Sequence, residues 1–457
     1  MGSEGDIIVA PATLTGGAIA VVRLSGEGSI TICDKVFKGR KGALNEAATH
    51  TLHYGDIVDD ERVVDDVLVS VFRAPHSYTG EESIEISCHG SQYIVQEIIT
   101  LLLQNGARSA EAGEFTTRAY LAGKMDLSQA EAVADMIASS SRAQHVMAST
   151  QMRGGYSSRL MELRGQLVEL AALLELELDF SEEEVEFADR SRLTSLMESL
   201  EAEIEKLAES FALGNAIKKG VQVAIIGEPN VGKSTLLNAL LGDQRAMVSD
   251  IAGTTRDLIE EEIVIDGITF RFIDTAGVHT TTDRLELMGI ERTHSAIERA
   301  QVIIHLRDAQ KAENATANID LSTLRPEQKI IEVVNKIDAL EECAKGSFRG
   351  EKNSAVVKIS AKEKIGIEEL LKALRSQIDT QALFEGAPIV SSLRHHELLN
   401  LAKKSLKAAQ AAQKENLPTD LMCQDIREVL HHIGAITGSI TTNDILGEIF
   451  SKFCIGK

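Results

Sequence analysis

The sequence predicts a multidomain α/β protein with an N-terminal α+β domain and an all-α helical domain into which a parallel-sheet α/β domain is inserted. The chain has 457 residues, enough for about three domains. β-like runs dominate its first part, and helical leucine spacing appears on both sides of a central strand–loop–helix pattern. The predicted segments are α+β at 1–118, helical at 119–218, inserted at 219–380 and helical again at 381–457.

The N-terminal segment contains short apolar runs of the kind that form strands. They read IIVAPA, AIAVVRL, VDDVLVSVF and SIEISC, and the helical pattern YIVQEIITLLLQNG follows them. Strands that precede and surround helices in this way indicate a compact α+β domain.

The helical segments are predicted from the spacing of their apolar residues. Leucines recur at steps of three and four residues at Leu160, Leu163, Leu167, Leu170 and Leu174. The pattern returns after residue 380, for example at Leu399, Ala402 and Leu406. The simplest explanation is one helical domain interrupted by the segment between these two parts.

The composition limits the location and the partners. No run of about 18 apolar residues and no secretory signal is present, which predicts no membrane span. Five scattered cysteines without a C-x-x-C pair favour reduced thiols and a cytoplasmic location. The net charge of −22 disfavours a protein that binds nucleic acid strongly on its own, although a local basic patch is compatible with it.

A phosphate-binding loop is predicted between an apolar run that ends at Ile226 and a helical pattern that begins at Lys233. Residues 227–234 read GEPNVGKS, in which glycines let backbone N–H groups approach phosphate oxygens. Lys233 would reach the β- and γ-phosphates, and Ser234 would bind Mg²⁺. The nucleotide contacts predicted here are Asn230, Val231, Gly232, Lys233, Ser234 and Thr235.

Three further motifs follow in order and select guanine. FIDTAG places Asp274, Thr275, Ala276 and Gly277 after a strand, with Asp274 near Mg²⁺ and the Gly277 N–H near the γ-phosphate. NKID supplies Asn335, Lys336 and Asp338, and SAK closes the base pocket with Ser360 and Ala361. The carboxylate of Asp338 can accept hydrogen bonds from the N1 and N2 donors of guanine, which adenine lacks. The inserted domain is therefore predicted to be a P-loop GTPase, and its substrate GTP.

The catalytic group is not fixed by these motifs. Val278 occupies the place after DTAG where many signalling GTPases have a glutamine that positions water. A downstream carboxylate is the natural candidate, and the sequence alone does not choose between Asp283, Glu286 and Glu291. No arginine finger is evident. A monovalent cation held by Asn230 and by carbonyls of 249–257 could supply the missing positive charge.

The whole chain resembles the MnmE (TrmE) family of tRNA-modification GTPases. The resemblance rests on GEPNVGKSTLLNAL, DIAGTTRD, DTAG, GIER, NKID and the terminal FCIGK, and on the N-terminal SYTGEESIEISCHG and GEFTTRAYLAGKMDLSQAEAV. It implies GTP hydrolysis that depends on K⁺ and Mg²⁺, with Glu286 as the catalytic residue that acts on the water. The implied K⁺ ligands are Asn230, Ser249, Ile251 and Thr254, and Thr255 would lie near Mg²⁺.

The resemblance also implies partners and a larger reaction. Members form homodimers whose GTPase domains pair when GTP and K⁺ bind, and they act with the FAD protein MnmG (GidA) on tRNA. The implied product carries a carboxymethylaminomethyl or aminomethyl group on carbon 5 of the wobble uridine. A folate, 5,10-methylenetetrahydrofolate or 5-formyltetrahydrofolate, would supply the carbon. The implied folate residues are Arg23, Glu85, Lys124 and Lys457.

Cys454 is the fourth residue from the end of the sequence. The ending CIGK does not fit a prenylation signal, because Gly is third, Lys is last and no polybasic stretch precedes it. An inert packed cysteine and a redox or catalytic thiol both remain open. The insertion would bring the C-terminus back beside another domain, near Lys124 or across a dimer, and the resemblance places Cys454 by the site of one-carbon transfer.

Two other GTPase classes compete with this interpretation. A ribosome-assembly factor would carry a basic RNA-binding module, which the net charge and the absence of a GxxG loop of the KH type disfavour. A signalling switch is disfavoured by Val278 and by the additional domains. Folate binding would separate the tRNA-modification class from both.

Overall fold

The computed structural model describes residues 5–40, 42–179, 190–242, 261–273, 296–310, 325, 328–340, 356–440, 443–451, 453, 454 and 456. The chain divides into two compact units. The first comprises 1–134, 151–188 and 411–457, and the second comprises 135–150 and 189–410. The four predicted segments 1–118, 119–218, 219–380 and 381–457 stay a prediction.

The first unit contains a mainly antiparallel sheet of seven strands in the order β3-β4-β5-β6-β2-β1-β7. The strands are β1 Ile8–Pro11, β2 Ile19–Ser25, β3 Phe37–Gly39, β4 Thr51–Asp59, β5 Arg62–Phe72, β6 Ser83–His89 and β7 Arg108–Ser109. Helices Ser29–Val36 and Gln92–Gln104 pack on one face, where alternate strand residues such as Val22, Leu24 and Ile86 are buried. The predicted α+β fold of this region is confirmed.

On strands β2 and β6, the opposite face of this sheet carries polar side chains such as Arg23 and Glu85. Antiparallel pairing of β2 with β6 sets Arg23 directly opposite Glu85. Because successive side chains of a strand point to opposite faces, both residues leave the core that Val22 and Leu24 enter. The register therefore brings together two residues that are 62 positions apart in the chain.

The second unit contains a six-stranded sheet in the order β13-β12-β11-β8-β10-β9. The strands are β8 Val221–Ile226, β9 Glu261–Ile265, β10 Ile268–Ile273, β11 Val302–Asp308, β12 Lys329–Asn335 and β13 Val356–Lys358. All pairs are parallel except β9 with β10. Val223 and Ile225 enter one core and Ala224 and Ile226 the other, as expected when helices or loops cover both faces. The predicted parallel-sheet α/β domain is confirmed.

Helices make up most of the remaining described chain. Their bounds are Glu114–Leu121, Leu127–Ala138, Arg142–Met152, Gly155–Asp179, Arg190–Glu209, Phe211–Lys219, Lys233–Gly242, Ile367–Ser376, Gln381–Phe384, Leu393–Lys414, Thr419–Thr437 and Asn443–Ser451. Short 3₁₀ turns lie at Leu44–Glu46 and Ile337–Ala339.

The leucine spacing in the helical region corresponds to a buried stripe. Helix Gly155–Asp179 packs against Thr419–Thr437 within the first unit. All five leucines of the predicted stripe, Leu160, Leu163, Leu167, Leu170 and Leu174, are at most 1% exposed. In the second unit, Leu399, Ala402 and Leu406 of helix Leu393–Lys414 are likewise fully buried. Among the described residues, no helix combines the length and apolarity needed to cross a bilayer.

Candidate functional site

The phosphate loop connects the end of β8 to the start of helix Lys233–Gly242, as the sequence predicts. Within it, Gly232 has a φ of +103°, and a Cβ there would lie 2.4 Å from Nδ2 of Asn335. Only glycine fits this close approach. Asn230 is also in the left-handed region, with a φ of +62°, and its side chain is exposed. Ser234 and Thr235 are exposed in the first turn of the helix, where a Mg²⁺ ligand and free N–H groups are needed.

The ammonium of Lys233 is turned back onto the loop. Its Nζ donates to the backbone oxygens of Gly227 and Glu228, both at 2.9 Å. Burial lowers the pKa of this half-buried lysine. Phosphate oxygens would be stronger acceptors than these two carbonyls, because they carry negative charge. The loop thus holds a cation where the sequence predicts the β- and γ-phosphates.

Asn335 joins the phosphate loop to the base-binding segments. Its Nδ2 donates to the backbone oxygen of Val231 at 2.8 Å, and its Oδ1 accepts from the N–H of Ala361 at 3.0 Å. The side chain is buried, with 3% of its surface exposed. One amide therefore connects the motifs GEPNVGKS, NKID and SAK, and it uses both of its polar ends on protein backbone.

Asp338 and Ser360 form the predicted base pocket. The hydroxyl of Ser360 donates to Oδ1 of Asp338 at 2.6 Å. This hydrogen bond is the main cause that holds the pKa of Asp338 below its ordinary value, so the exposed carboxylate is ionised at neutral pH. An oriented, ionised carboxylate is the acceptor that two guanine N–H donors require.

Lys336 links NKID to the phosphate loop directly, and it also contacts Asp308, a residue that the sequence motifs do not include. Its Nζ donates to the backbone oxygen of Asn230 at 2.9 Å and to Oδ2 of Asp308 at 2.7 Å. Asp308 is the last residue of β11 and stands beside Asn335 in the parallel register. The only sequence signal for it is an acidic residue at the carboxyl end of a buried strand.

Several predicted residues lie outside the described part of the chain. They are Ser249, Ile251, Thr254, Thr255, Asp274, Thr275, Ala276, Gly277, Glu286 and Lys457. The two alternative carboxylates, Asp283 and Glu291, lie outside it as well. The roles of these residues stay predictions.

A second candidate site lies on the polar face of the seven-stranded sheet. Nε and Nη2 of Arg23 contact Oε1 of Glu85 at 2.9 and 2.8 Å. The guanidinium also lies 5.5 Å from the ring centre of Tyr78 and 5.7 Å from that of Phe115. Burial raises the pKa of Tyr78, whose Oη is 3.0 Å from Oγ1 of Thr116. Tyr78 and Phe115 were missed by the sequence analysis, because their proximity to Arg23 depends on the tertiary fold.

The C-terminal segment packs against the same N-terminal region. The N–H of Gly113 donates to the backbone oxygen of Cys454 at 3.4 Å. A Cβ on Gly456 would lie 2.1 Å from the backbone oxygen of Pro11. Pro11 ends strand β1, which pairs with β2. Cys454 is exposed, whereas Phe453 beside it is buried. The return of the C-terminus to the N-terminal region agrees with the prediction, and the chemical role of the thiol stays open.

Lys124 belongs to the same unit but has a different neighbour. Its exposed Nζ donates to the backbone oxygen of Pro75 at 2.8 Å. A cavity of about 690 Å³ also lies in this unit, lined by helices Glu114–Leu121 and Asn443–Ser451. Neither Arg23, Glu85 nor Lys124 lines it. The structure thus unites Arg23 with Glu85, and the hydrogen bond it gives to Lys124 goes to Pro75.

Comparison with known proteins gives matches over nearly the whole chain. Residues 7–124 match the family model described as "GTP-binding protein TrmE N-terminus", and residues 127–454 match "MnmE helical domain". The tRNA modification GTPase MnmE of Flavobacterium johnsoniae is 50% identical, over 99% of this chain and 99% of that protein. The protein of the same name from Cytophaga hutchinsonii is 48% identical, over 99% and 98%.

Among solved structures, the G domain of the T. maritima FeoB iron transporter is 27% identical. The match covers 35% of this chain and 99% of that one, with a TM-score of 0.26. A TM-score this low adds nothing to the assignment of the fold.

Proposed function

The chain belongs to the MnmE (TrmE) family of tRNA-modification GTPases, and on this basis we propose that it is a K⁺-dependent GTPase that helps to modify carbon 5 of the wobble uridine of certain tRNAs. The observation that carries the GTPase part is the amide of Asn335, which holds the phosphate loop and the guanine-binding segments together. The wobble position and the product, a carboxymethylaminomethyl or aminomethyl group, are the finer parts of the proposal.

In the proposed reaction, the residues of this chain bind and orient the nucleotide. Lys233 would exchange its two loop carbonyls for phosphate oxygens, and Asp338 would accept the guanine N–H donors. Mg²⁺, when bound, neutralises phosphate charge, and Ser234 and Thr255 would hold it. Glu286 would act on the attacking water through a bridging water.

K⁺ would take the place of an arginine finger. When bound, the cation supplies positive charge at the phosphates. Asn230 fits a ligand role, because its exposed amide stands in the phosphate loop itself. Ser249, Ile251 and Thr254 would complete the site. GTP and K⁺ binding would then pair the GTPase domains of a homodimer, and hydrolysis would release them, so that nucleotide state drives conformational cycling.

The N-terminal site is proposed to bind 5,10-methylenetetrahydrofolate or 5-formyltetrahydrofolate. The pair Arg23 and Glu85, with the rings of Tyr78 and Phe115, combines a cation, a carboxylate and flat apolar surfaces. A carboxylate suits the amino and ring N–H donors of a pterin, and a guanidinium suits a glutamyl carboxylate. Lys124 and Lys457 would complete the site, with Cys454 nearby. MnmG (GidA) and tRNA are the proposed partners, and the cytosol is the proposed location.

GTP turnover is expected to be at least about tenfold faster in K⁺ than in Na⁺ at equal ionic strength, because a fixed cation stabilises charge that develops on the phosphates. Glu286→Ala is expected to remove most of the activity in K⁺. Steady-state phosphate release measures both effects. Asp283→Ala and Glu291→Ala are the matched controls and should retain the wild-type rate. Equal turnover in both salts would contradict the proposed cation site, and an active Glu286→Ala would return the catalytic role to the other two carboxylates.

Arg23→Ala is expected to weaken 5-formyltetrahydrofolate binding by about tenfold or more, since a charged partner is lost and Glu85 is left without it. Isothermal titration calorimetry measures the dissociation constant directly. Arg40→Ala is the control, because Arg40 pairs with Asp56 and lies 5.7 Å from the ring centre of Tyr54 in the same unit. Equal weakening by both substitutions, or none by Arg23→Ala, would refute the folate site.

A further inference from the structure

Asp308 ends strand β11 at the edge where the nucleotide motifs meet. Its Oδ1 accepts a hydrogen bond from the backbone N–H of Gln310 at 3.0 Å, which orients the carboxylate relative to the turn that follows β11. Its Oδ2 accepts from Nζ of Lys336 at 2.7 Å. The Asp308 side chain is 10% exposed, whereas the Lys336 side chain is 36% exposed, so the carboxylate is the shielded member of this ion pair.

Lys336 is constrained both at its backbone and at its side-chain ammonium. Its backbone has a φ of +66°, a conformation that non-glycine residues adopt rarely. Its ammonium spans from Asp308 to the backbone oxygen of Asn230, in the phosphate loop. A lysine stem has four flexible carbons and loses considerable entropy when it is fixed. Two acceptors on different elements therefore hold the stem in one place.

We propose that Asp308 is a positioning residue of the nucleotide site, which fixes Lys336 so that its stem covers the guanine ring and its ammonium ties NKID to the phosphate loop. Asp308 itself does not contact the nucleotide in this proposal. The parallel register that sets Asp308 beside Asn335 places the carboxylate at the start of the NKID motif. The inference rests on the proposed GTPase function and adds a residue to its base-binding site.

The effect should appear in affinity rather than in the chemical step. Without the Asp308 carboxylate, the Lys336 ammonium keeps one of these two acceptors, the backbone oxygen of Asn230. Its aliphatic stem could then move away from the guanine ring. Asp308→Ala is expected to raise the dissociation constant of GDP and the KM for GTP by up to about tenfold, because the freed Lys336 side chain would have to be ordered over the ring when the nucleotide binds. Turnover at saturating GTP should change less than about twofold, because no group near the γ-phosphate is altered.

A double-mutant cycle tests the proposal. Fluorescence titration with N-methylanthraniloyl-GDP is carried out on the full-length wild type, Asp308→Ala, Lys336→Ala and the double variant. If Asp308 acts through Lys336, the double variant should bind no more weakly than Lys336→Ala alone. Asp308→Asn keeps the shape and the acceptor oxygen but loses the charge, so it should fall between wild type and Asp308→Ala.

A matched control separates this role from general stability. Asp135 contacts Nζ of Lys218 at the same distance, 2.7 Å, in the same unit. Lys218 precedes β8, whereas the phosphate loop follows it, so Asp135→Ala removes an equivalent ion pair at the opposite end of the strand. GDP binding by Asp135→Ala should equal that of the wild type, and the thermal unfolding midpoint is recorded for every variant.

The outcomes distinguish this inference from the proposed function. Wild-type affinity in Asp308→Ala, losses that add fully in the double variant, or a fall in turnover without a change in KM would overturn the positioning role alone. A wild-type protein that does not bind GDP would overturn the GTPase assignment together with it. Should Asp308→Ala fail to fold, Asp308→Asn carries the same comparison.

Discussion

Asp338→Asn is expected to weaken GDP and GTP binding by about a hundredfold and to make the protein bind xanthosine nucleotides. Guanine presents N–H donors at N1 and N2, and in the proposed site the carboxylate of Asp338 would accept both. An asparagine can accept only one of them, and its amide N–H₂ then faces the N2 donor of guanine. Each lost charged hydrogen bond costs about tenfold, and the mismatched donors add to this.

Xanthine carries a carbonyl oxygen where guanine carries its amino group. The amide of Asn at position 338 would donate to that oxygen and accept from N1, so the pairing is restored. The carboxamide can still accept the Ser360 hydroxyl, which keeps the side chain oriented. Asp338→Asn should therefore bind the xanthine nucleotide more tightly than the guanine nucleotide, the reverse of the order expected for the wild type.

Competition against a fluorescent guanine nucleotide measures both dissociation constants. Asp266→Asn is the matched control, because Asp266 is an exposed residue of the β9–β10 turn with a φ of +48°, which asparagine tolerates. The control should keep the wild-type preference. An Asp338→Asn variant that discriminates between the two bases as the wild type does would show that another residue reads the base.

The nucleotide site was predictable because its residues follow one another in short motifs. The phosphate loop lies between a strand and a helix, so local sequence places Lys233 and Ser234 without knowledge of the rest of the fold. Asp308 has no such context. Its contact with Lys336 arises from the pairing of β11 with β12, and a single acidic residue at a strand end gives no sign of its partner.

The N-terminal site shows the same limit more strongly. Arg23 and Glu85 are isolated charges in the sequence, and resemblance to a family was needed to select them. The register of β2 with β6 makes them neighbours, and the rings of Tyr78 and Phe115 come from two other parts of the chain. Alternation of buried and exposed residues predicts the face of such a strand, but not which strands pair.

The buried stripe of leucines from 160 to 174 could be predicted because it depends on the helix itself and not on a distant partner. A helix fixes its own periodicity, so spacing of three and four residues identifies the buried side whatever the partner is. The partner helix, Thr419–Thr437, lies some 250 residues further along the chain, and the spacing could not identify it. The predicted inserted segment, 219–380, lies between these two helices in the chain. The packing of the C-terminal segment near Gly113 was predicted only in outline, as a return of the C-terminus to another part of the fold.

Lys233→Ala is expected to have the largest effect on GTP hydrolysis, a loss on the order of a hundredfold to a thousandfold in turnover. The ammonium bonds two loop carbonyls at 2.9 Å, which orients it within the phosphate loop. Burial lowers the pKa of this lysine because it disfavours the charged form, and a phosphate beside the ammonium would stabilise that charge. Removing it takes away both an anchor for the β-phosphate and charge stabilisation at the γ-phosphate.

Single-turnover hydrolysis at saturating GTP separates the chemical step from binding. Lys218→Ala is the control, since it removes a lysine that pairs with Asp135 at the other end of β8. Nucleotide affinity should also fall with rising pH in the wild type, because Lys233 and the guanine N1–H both lose protons in the alkaline range, and Lys233→Ala should lose only the part due to the lysine. If Lys233→Ala hydrolyses GTP at the wild-type rate, the loop Gly227–Ser234 is not the phosphate site, and the GTPase assignment of this domain fails.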